Sequence, residues 1–458
     1  MGLFINYLKQ FDKMNKNIKN WLFVGATVAF MTGCDSRLDV QPTQSIDEST
    51  ALSTSQDIEV TLTGAYDGLS SVNLYGGAIQ YSGDLLGDDA EVRFAGTFVT
   101  LDELWRKTFT TTNTQTQNTW LQAYATINRV NNVLSALDKV EASRKGTVEG
   151  QARFIRGLMY FDLVRLWGKA WGDGDNNANL GVPLVTTPTR AVSAEDNRPR
   201  ATVAAVYAQV IEDLTKASTL IEDGDAPFAT TSAAHAILAR VYLQQSNFAA
   251  ARDEANKVIA AGFTLAPSFE EVFDDASNED ELIFKIIISD QDGINDLNTY
   301  YAPSTYQGRG DIRVQNKHLA LYGAGDTRGT FFVKASNNTF TAKFLDQYGD
   351  VPVVRLAEMY LIRAEANQRL GTAIGGTPLN DINTLRRRAG ATPLTTVNLD
   401  AILTERKLEL AFEGQQVFDA KRLKRNIGAI AFNDNKLLIP IPQREIDTNK
   451  SLVQNAGY

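Results

Sequence analysis

The stretch that most limits what this chain can fold into is Arg355–Gly371, RLAEMYLIRAEANQRLG, continued by LNDINTLRRRAG to Gly390. At about 100° per residue its apolar side chains cover most of a helical circumference. Leu356, Met359, Tyr360 and Leu370 fall on one side and Ala357, Leu361 and Ala364 on the other, leaving Glu358, Glu365 and Arg369 as a narrow polar stripe. A helix that is apolar nearly all round must be covered by neighbours on several sides, and its alanines let them come close. The expectation is the central helix of an all-α body. Arg363 falls inside the apolar arc, where a charge needs a partner. Glu409 or Glu413 from a later helix is expected to supply it.

The same periodicity predicts helices over about 53–69, 116–138, 148–167 and 202–221, the last with Thr202 as N-cap. Trp120 and Trp167 lie on apolar helix faces and read as core, whereas Trp105 and Trp171 are not assigned. Ala239, Tyr242, Phe248, Ala251, Ala255 and Val258 resemble a tetratricopeptide repeat, in which small residues let two antiparallel helices touch. Residues 355–388 and 148–221 are looser candidates for the same unit. LIFKIII at 282–288 is a β-type run, and LLIPIP at 437–442 reads as extended. Residues 72–98 read as a loop, 289–340 as a long irregular segment, and 400–413 as a helix closed by Gly414. The fold class is mainly α: a helical-repeat body with long irregular loops and a few short strands.

The net charge of −9 over 458 residues argues against a nucleic-acid partner, because phosphates require a basic face. It also disfavours anionic polysaccharides, unless a local basic patch binds one. Cys34 is the chain's 1 cysteine, so no internal disulfide can form. The 2 histidines, His235 and His318, are far apart, which weakens any His-rich zinc site or Ser-His triad.

At the amino terminus, Lys16 and Lys19 precede the apolar run 21–31 and then Thr32-Gly33-Cys34. A basic start, a short apolar run and a small-residue cleavage site make a secretory signal, and the run is too short to span a membrane. The site looks like a bacterial lipobox, with Met31 where Leu is usual. Residues 1–33 are therefore expected to be a signal peptide and Cys34 the lipidated, palmitate-type anchor. Residues 34–52 would form a tether and 53–458 a single domain. Met14 is the expected natural start, since residues 1–13 add nothing a signal needs.

Several stretches in order resemble the SusD/RagB family. They are the lipobox, the spaced set Trp120, Tyr124, Ile127 and Asn131, and RLAEMYLIRAEA at 355–366 with LRRRAG ending at Gly390. ERKLELAFEGQQVFDAKR at 405–422, LLIPIPQREIDTN at 437–449 and LVQNAGY at 452–458 complete the series. Gln416 and Val417 stand where the family pattern has Arg and an aromatic. The resemblance implies a body of tetratricopeptide-like helix pairs, no catalysis and no cofactor. It implies a lipid-anchored outer-membrane protein, facing outward, that captures oligosaccharide for a SusC-like TonB-dependent transporter. A surface glycoside hydrolase, a protein-binding repeat scaffold and a peptide-binding relative remain as alternatives.

Sugar sites combine aromatic faces with a few polar groups. Tyr75, Tyr81, Asp88, Asp89, Arg93 and Phe94 offer this in the first loop region. Tyr300, Tyr301, Tyr306, Arg309, Asp311 and Arg313 offer it in the second. The resemblance implies a ligand surface built from loops of these two regions. Arg363, Glu405, Arg406, Glu409, Glu413, Asp419 and Arg422 hold paired carboxylates of the kind that cleave glycosides, but read better as a structural ion-pair network. Asp173, Asp175 and Asn177 have calcium-loop spacing. Ala178 and Leu184 replace the glycine and glutamate of an EF-hand, so a solvated turn is favoured and no metal is expected.

Overall fold

Apolar faces repeating at helical spacing produce a mostly helical chain. The computed structural model describes residues 52–190, 197–221, 227–274 and 280–458. Cys34, the signal and the tether lie outside the described residues. The first half contains α1 (Ser55–Ser70), α2 (Ala78–Gly87), β1 (Val92–Phe94), α3 (Val99–Arg106), α4 (Thr114–Ser135), α5 (Lys145–Trp167), α6 (Val203–Leu220), α7 (Thr231–Gln244) and α8 (Phe248–Ile259). Then come β2 (Leu282–Ile286), α9 (Asp296–Tyr301), β3 (Ile312–Val314), α10 (Asn316–Leu319), β4 (Phe332–Ala335), β5 (Asn338–Thr341) and β6 (Val351–Arg355). The chain ends with α11 (Leu356–Leu370), α12 (Pro378–Arg388), α13 (Leu399–Glu409), α14 (Gln416–Arg422) and α15 (Gln443–Thr448).

The long helices stack in succession. α1 packs on α4, α4 on α5, α5 on α6, α6 on α7, α7 on α8 and α8 on α11, which also carries α12 and α13. α7 and α8 form the expected repeat hairpin. Thr230 and Asn247 cap them by accepting from the Ala233 and Ala250 N–H groups, and Ala251 and Ala255 are fully buried between helices. Close approach of α5 and α6 depends on Gly157, where a Cβ would lie 2.9 Å from Leu214 Cγ. Trp120 and Trp167 are core and meet edge to face at 5.4 Å.

α11 is central and buried as expected, with two corrections. Arg355 ends strand β6, which pairs antiparallel with β2, and the helix begins at Leu356. Two of the three residues of the expected polar stripe are also inside: Glu358 and Glu365 are 1% and 0% exposed, while Arg369 stays at the surface. Glu358 sits between Arg240 and Arg406. Burial alone would raise its pKa, but the two guanidinium groups overcome that and hold it at about 2. Glu365 is held in the same way by Arg422 and Arg369.

Arg363 is paired, but with neither expected partner. Its Nε and Nη2 donate to Asp381 of α12 at 2.9 and 2.7 Å, and Nη1 donates to Asn256 of α8 at 2.8 Å. Glu409 and Glu413 are engaged by Arg355 instead. Asp381 lies 18 positions after Arg363, and α12 packs on α11. Sequence spacing had no means of ranking these carboxylates.

Further corrections concern the segments expected to be irregular. Within 72–98, α2 is a helix buried along its whole length. Its glycines hid it, and they are needed: a Cβ on Gly83 would lie 2.0 Å from the Gly414 carbonyl oxygen. Within 289–340, β3, β4 and β5 join β1 in a sheet of order β1-β3-β5-β4. The late helix stops at Glu409 rather than at Glu413, and Phe412 in the turn that follows takes a left-handed φ of 65°, which no continuing helix accommodates.

The Arg363 pairing generates a test. Arg363→Ala strands a buried Asp381 carboxylate and is expected to cost about 3–5 kcal/mol of unfolding free energy. Chemical denaturation measures it, and an unchanged midpoint would show that the pair is not buried in solution.

Candidate functional site

Alternation in Val92-Arg93-Phe94 buries the outer two side chains and turns Arg93 outward. Ile312-Arg313-Val314 does the same, and the two strands pair with Arg93 opposite Arg313. The ladder continues at both ends, through Gln315 N–H to Glu91 O at 2.9 Å and Ala95 N–H to Asp311 O at 2.7 Å. The two regions singled out in the sequence are therefore neighbours on one small sheet. β5 joins through Val314 and Thr339. Ser336 and Asn337, with φ of 46° and 61°, make the two-residue turn between β4 and β5, a geometry that matches strand twist.

Beside one end of this ladder lies an open groove of about 570 Å³. Its walls include Arg93, Trp105, Gln315, Asn316, Lys317 and Asn337. Trp105 is fixed by its Nε1–H donating to Asp88 Oδ2 at 2.9 Å, while Asp88 Oδ1 accepts from the Glu91 and Val92 N–H groups. Asp88 thus positions the indole and the start of β1 together. At the other end, Phe98 and Tyr306 are 42% and 41% exposed. The Arg309 guanidinium lies 4.7 Å over the Phe98 ring and pairs with Asp311 at 2.9 Å. The spacing of strand residues puts the two ends roughly 10–17 Å apart.

The candidates divide accordingly. Asp89, Arg93, Tyr306 and Arg309 are at the surface, with Asp89 paired to Lys317 at 2.8 Å. Asp88 and Asp311 are buried beneath and orient neighbours. Tyr75, Tyr81, Phe94, Tyr300 and Tyr301 are corrections, for they are interior plugs. The Tyr75 hydroxyl donates to Asp162 and that of Tyr301 to Asp84. Tyr81 packs edge-on against Tyr300, and Tyr300 edge-on against Phe98. The groove residues Trp105, Gln315, Asn316, Lys317 and Asn337 were missed as site residues. The one local signal for them was Ser336-Asn337 between two alternating stretches, which marks a hairpin.

The paired-carboxylate set is enclosed. Arg328, Arg355, Arg388 and Lys343 face Glu281, Asp326, Glu405, Glu409 and Glu413 inside the protein. Burial works against ionisation of Glu409, but Arg388, Arg355 and Arg328 prevail and hold it far below the usual carboxylate range. A glycosidase acid needs the opposite shift. Arg406 and Arg422 share Asp419. A smaller cavity of about 210 Å³ behind the sheet is lined by Glu91, His318, Lys407, Phe412 and Gln416, among others. Its Glu91 is already matched by His318 and Lys407.

At 173–177, the Asp175 carboxylate accepts from the Asn177 N–H, and Asp173 faces Lys169 and Asn433. Among the described residues no group of three or more His, Cys, Asp or Glu is placed to hold a metal ion. Nor is any described helix long and apolar enough to cross a membrane.

A stack of paired helices carrying a small loop-borne sheet and an open groove is the build of a helical-repeat scaffold protein. Residues 37–243 match the family described as "Starch-binding associating with outer membrane", and residues 263–458 match the SusD family. The chain belongs to the SusD/RagB family. SusD-like protein P2 of Formosa agariphila is 26% identical, over 93% of this chain and 97% of that one. Starch-binding protein SusD of Bacteroides thetaiotaomicron is 24% identical, over 67% and 72%. A crystal structure of a SusD superfamily protein from Bacteroides vulgatus superposes with a TM-score of 0.79 at 26% identity, covering 88% of this chain and 99% of that one.

Asp84 ties the site to the body, accepting from Tyr301 Oη at 2.7 Å and the Gly414 N–H at 3.0 Å. Burial nevertheless pushes its pKa up to about 7. With the folded pKa above the unfolded 3.8, its contribution is full below about pH 4 and lost as pH rises through 7. Asp84→Asn removes that dependence. The melting temperature of the variant minus that of the parent is expected to climb from pH 4 to 8, and a constant difference would contradict the assignment.

Proposed function

We propose that this protein is a surface lipoprotein that binds oligosaccharide and passes it, uncleaved, to a SusC-like TonB-dependent transporter. The observation that carries the reading is the groove. It offers one fixed indole, a guanidinium with no ion pair among the described residues and several side-chain amides, on a ladder anchored to the helical body. Indole faces suit the C–H-rich faces of sugar rings, and amides and guanidinium groups suit hydroxyls. Affinity should be moderate, since each sugar hydroxyl exchanges water for protein at small net gain. The family description and the starch-binding name of the Bacteroides thetaiotaomicron relative support a carbohydrate ligand. Family membership also supports the outer membrane as location and a transporter as partner. Cys34 would carry the lipid, with residues 35–52 as tether. The described carboxylate clusters are committed to ion pairs, which favours binding over hydrolysis.

Affinity electrophoresis of the full-length protein against a glycan panel tests the reading, with reducing-end analysis of the same mixtures. Retardation by at least one glycan without new reducing ends is expected. Trp105→Ala and Arg93→Ala should each weaken that binding at least ~10-fold, equivalent to about 1.4 kcal/mol. Retardation by none of the panel would overturn glycan binding, and new reducing ends would favour the hydrolase. Pull-down from native membranes should recover a transporter.

A further inference from the structure

We propose that the glycan held in this groove carries oxyanions, as uronic-acid carboxylates or sulfate esters. The inference rests on the glycan reading above and narrows its ligand class. It starts from the register of the sheet. Arg93 and Arg313 are direct cross-strand partners, and like charges directly opposite one another on neighbouring strands repel. A fold ordinarily answers such a pair with a carboxylate. Here Arg313 donates from Nε to the Gly310 carbonyl and from Nη1 to Asn338 Oδ1, both at 3.3 Å and both neutral acceptors. Arg93 is exposed and has no ion pair among the described residues.

The nearby acids are committed elsewhere. Asp88 accepts from backbone and from Trp105. Asp89 pairs with Lys317, Glu91 with His318 and Lys407, and Asp311 with Arg309. The groove itself is lined by Arg93, Lys317, amides, Trp105 and small or aliphatic residues, with no Asp or Glu among them. A chain of net charge −9 therefore presents two arginines with no carboxylate partner among the described residues, Arg93 in the wall of this groove and Arg313 directly across the strand pair from it. A guanidinium presents parallel N–H donors that match a carboxylate or sulfate in a two-point contact. A concave wall strengthens that attraction relative to open surface. An oxyanion seated between Arg93 and Arg313 relieves their repulsion, which a neutral sugar leaves in place.

The test uses matched probes on the full-length protein by isothermal titration calorimetry. One pair is oligogalacturonides and the same oligosaccharides after carboxyl reduction to galactose. The other is sulfated galactan oligosaccharides and their desulfated forms. At least one acidic probe is expected to bind ~10-fold or more tighter than its neutral twin, an advantage that shrinks as salt rises from about 0.05 to about 0.5 M. Which pair shows the preference identifies carboxylate or sulfate. The double variant Arg93→Gln/Arg313→Gln should bring that pair to within about twofold by weakening the acidic probe more than its neutral twin, with a melting temperature no lower than the parent's, because a repulsion has been removed. Equal or stronger binding of the neutral twins, or of neutral glycans from the panel alone, would sink this inference and leave the glycan reading intact. Failure of every acidic and neutral glycan to bind would remove both.

Discussion

Arg355 holds this structure together. Fully buried at the junction of β6 and α11, it donates to Glu281 beside β2, to Glu409 at the end of α13, and to Glu413 in the turn beyond. Arg328 and Arg388 complete the surroundings of Glu409, and Lys343 meets Glu413. Burial pushes Lys343 down to about 8, so even its charge depends on those neighbours. Desolvating so many charges costs several kcal/mol per ion, and only mutual pairing offsets it. That requirement fixes where each element can sit. The turn at 410–414 is held by the ion pairs of Glu413 with Arg355 and Lys343, and its Gly414 N–H meets Asp84. Asp84 in turn holds Tyr301. The helices that flank the two site regions, α2 and α9, are thereby hung from one buried electrostatic frame.

The site inherits its rigidity from that frame. Its ladder is short, but Phe94, Val92, Ile312 and Val314 anchor it into the core, and Asp88 fixes both β1 and the indole of Trp105. Little reordering is then needed when a ligand arrives, which conserves affinity in a class of interaction where each contact is weak. The electrostatics of the groove run against those of the whole chain. Arg93 and Lys317 line a groove with no Asp or Glu in its walls, on a chain of net charge −9.

Much of the body was legible along the chain. The all-round apolar pattern of 355–371 needed several covering helices whatever their identity, and the alanines of 239–258 marked a tight helical hairpin. The site was legible only as two regions. Tyr75, Tyr81 and Tyr301 have the composition of a sugar platform, but an aromatic ring carries no local mark of whether its face is covered. α2 is not marked by its sequence because Gly83 and Gly87, which weaken a helix by propensity, are there for close contact with Gly414 and with the start of α14 at Gln416 and Val417.

The amino-acid sequence by itself determined that the chain would be a mainly helical repeat body with a lipobox-like start and a family resemblance running from end to end. Those features rest on local periodicity and short motifs, which survive without any knowledge of distant neighbours. Only the tertiary structure decided which carboxylate answers each buried arginine, that Arg93 faces Arg313, and that Trp105 and Asn337 share a groove. Most of these pairings join residues that are distant in sequence, such as Arg355 with Glu281 and Glu409 or Arg93 with Arg313, and they are set by how whole elements pack rather than by anything encoded in their immediate surroundings.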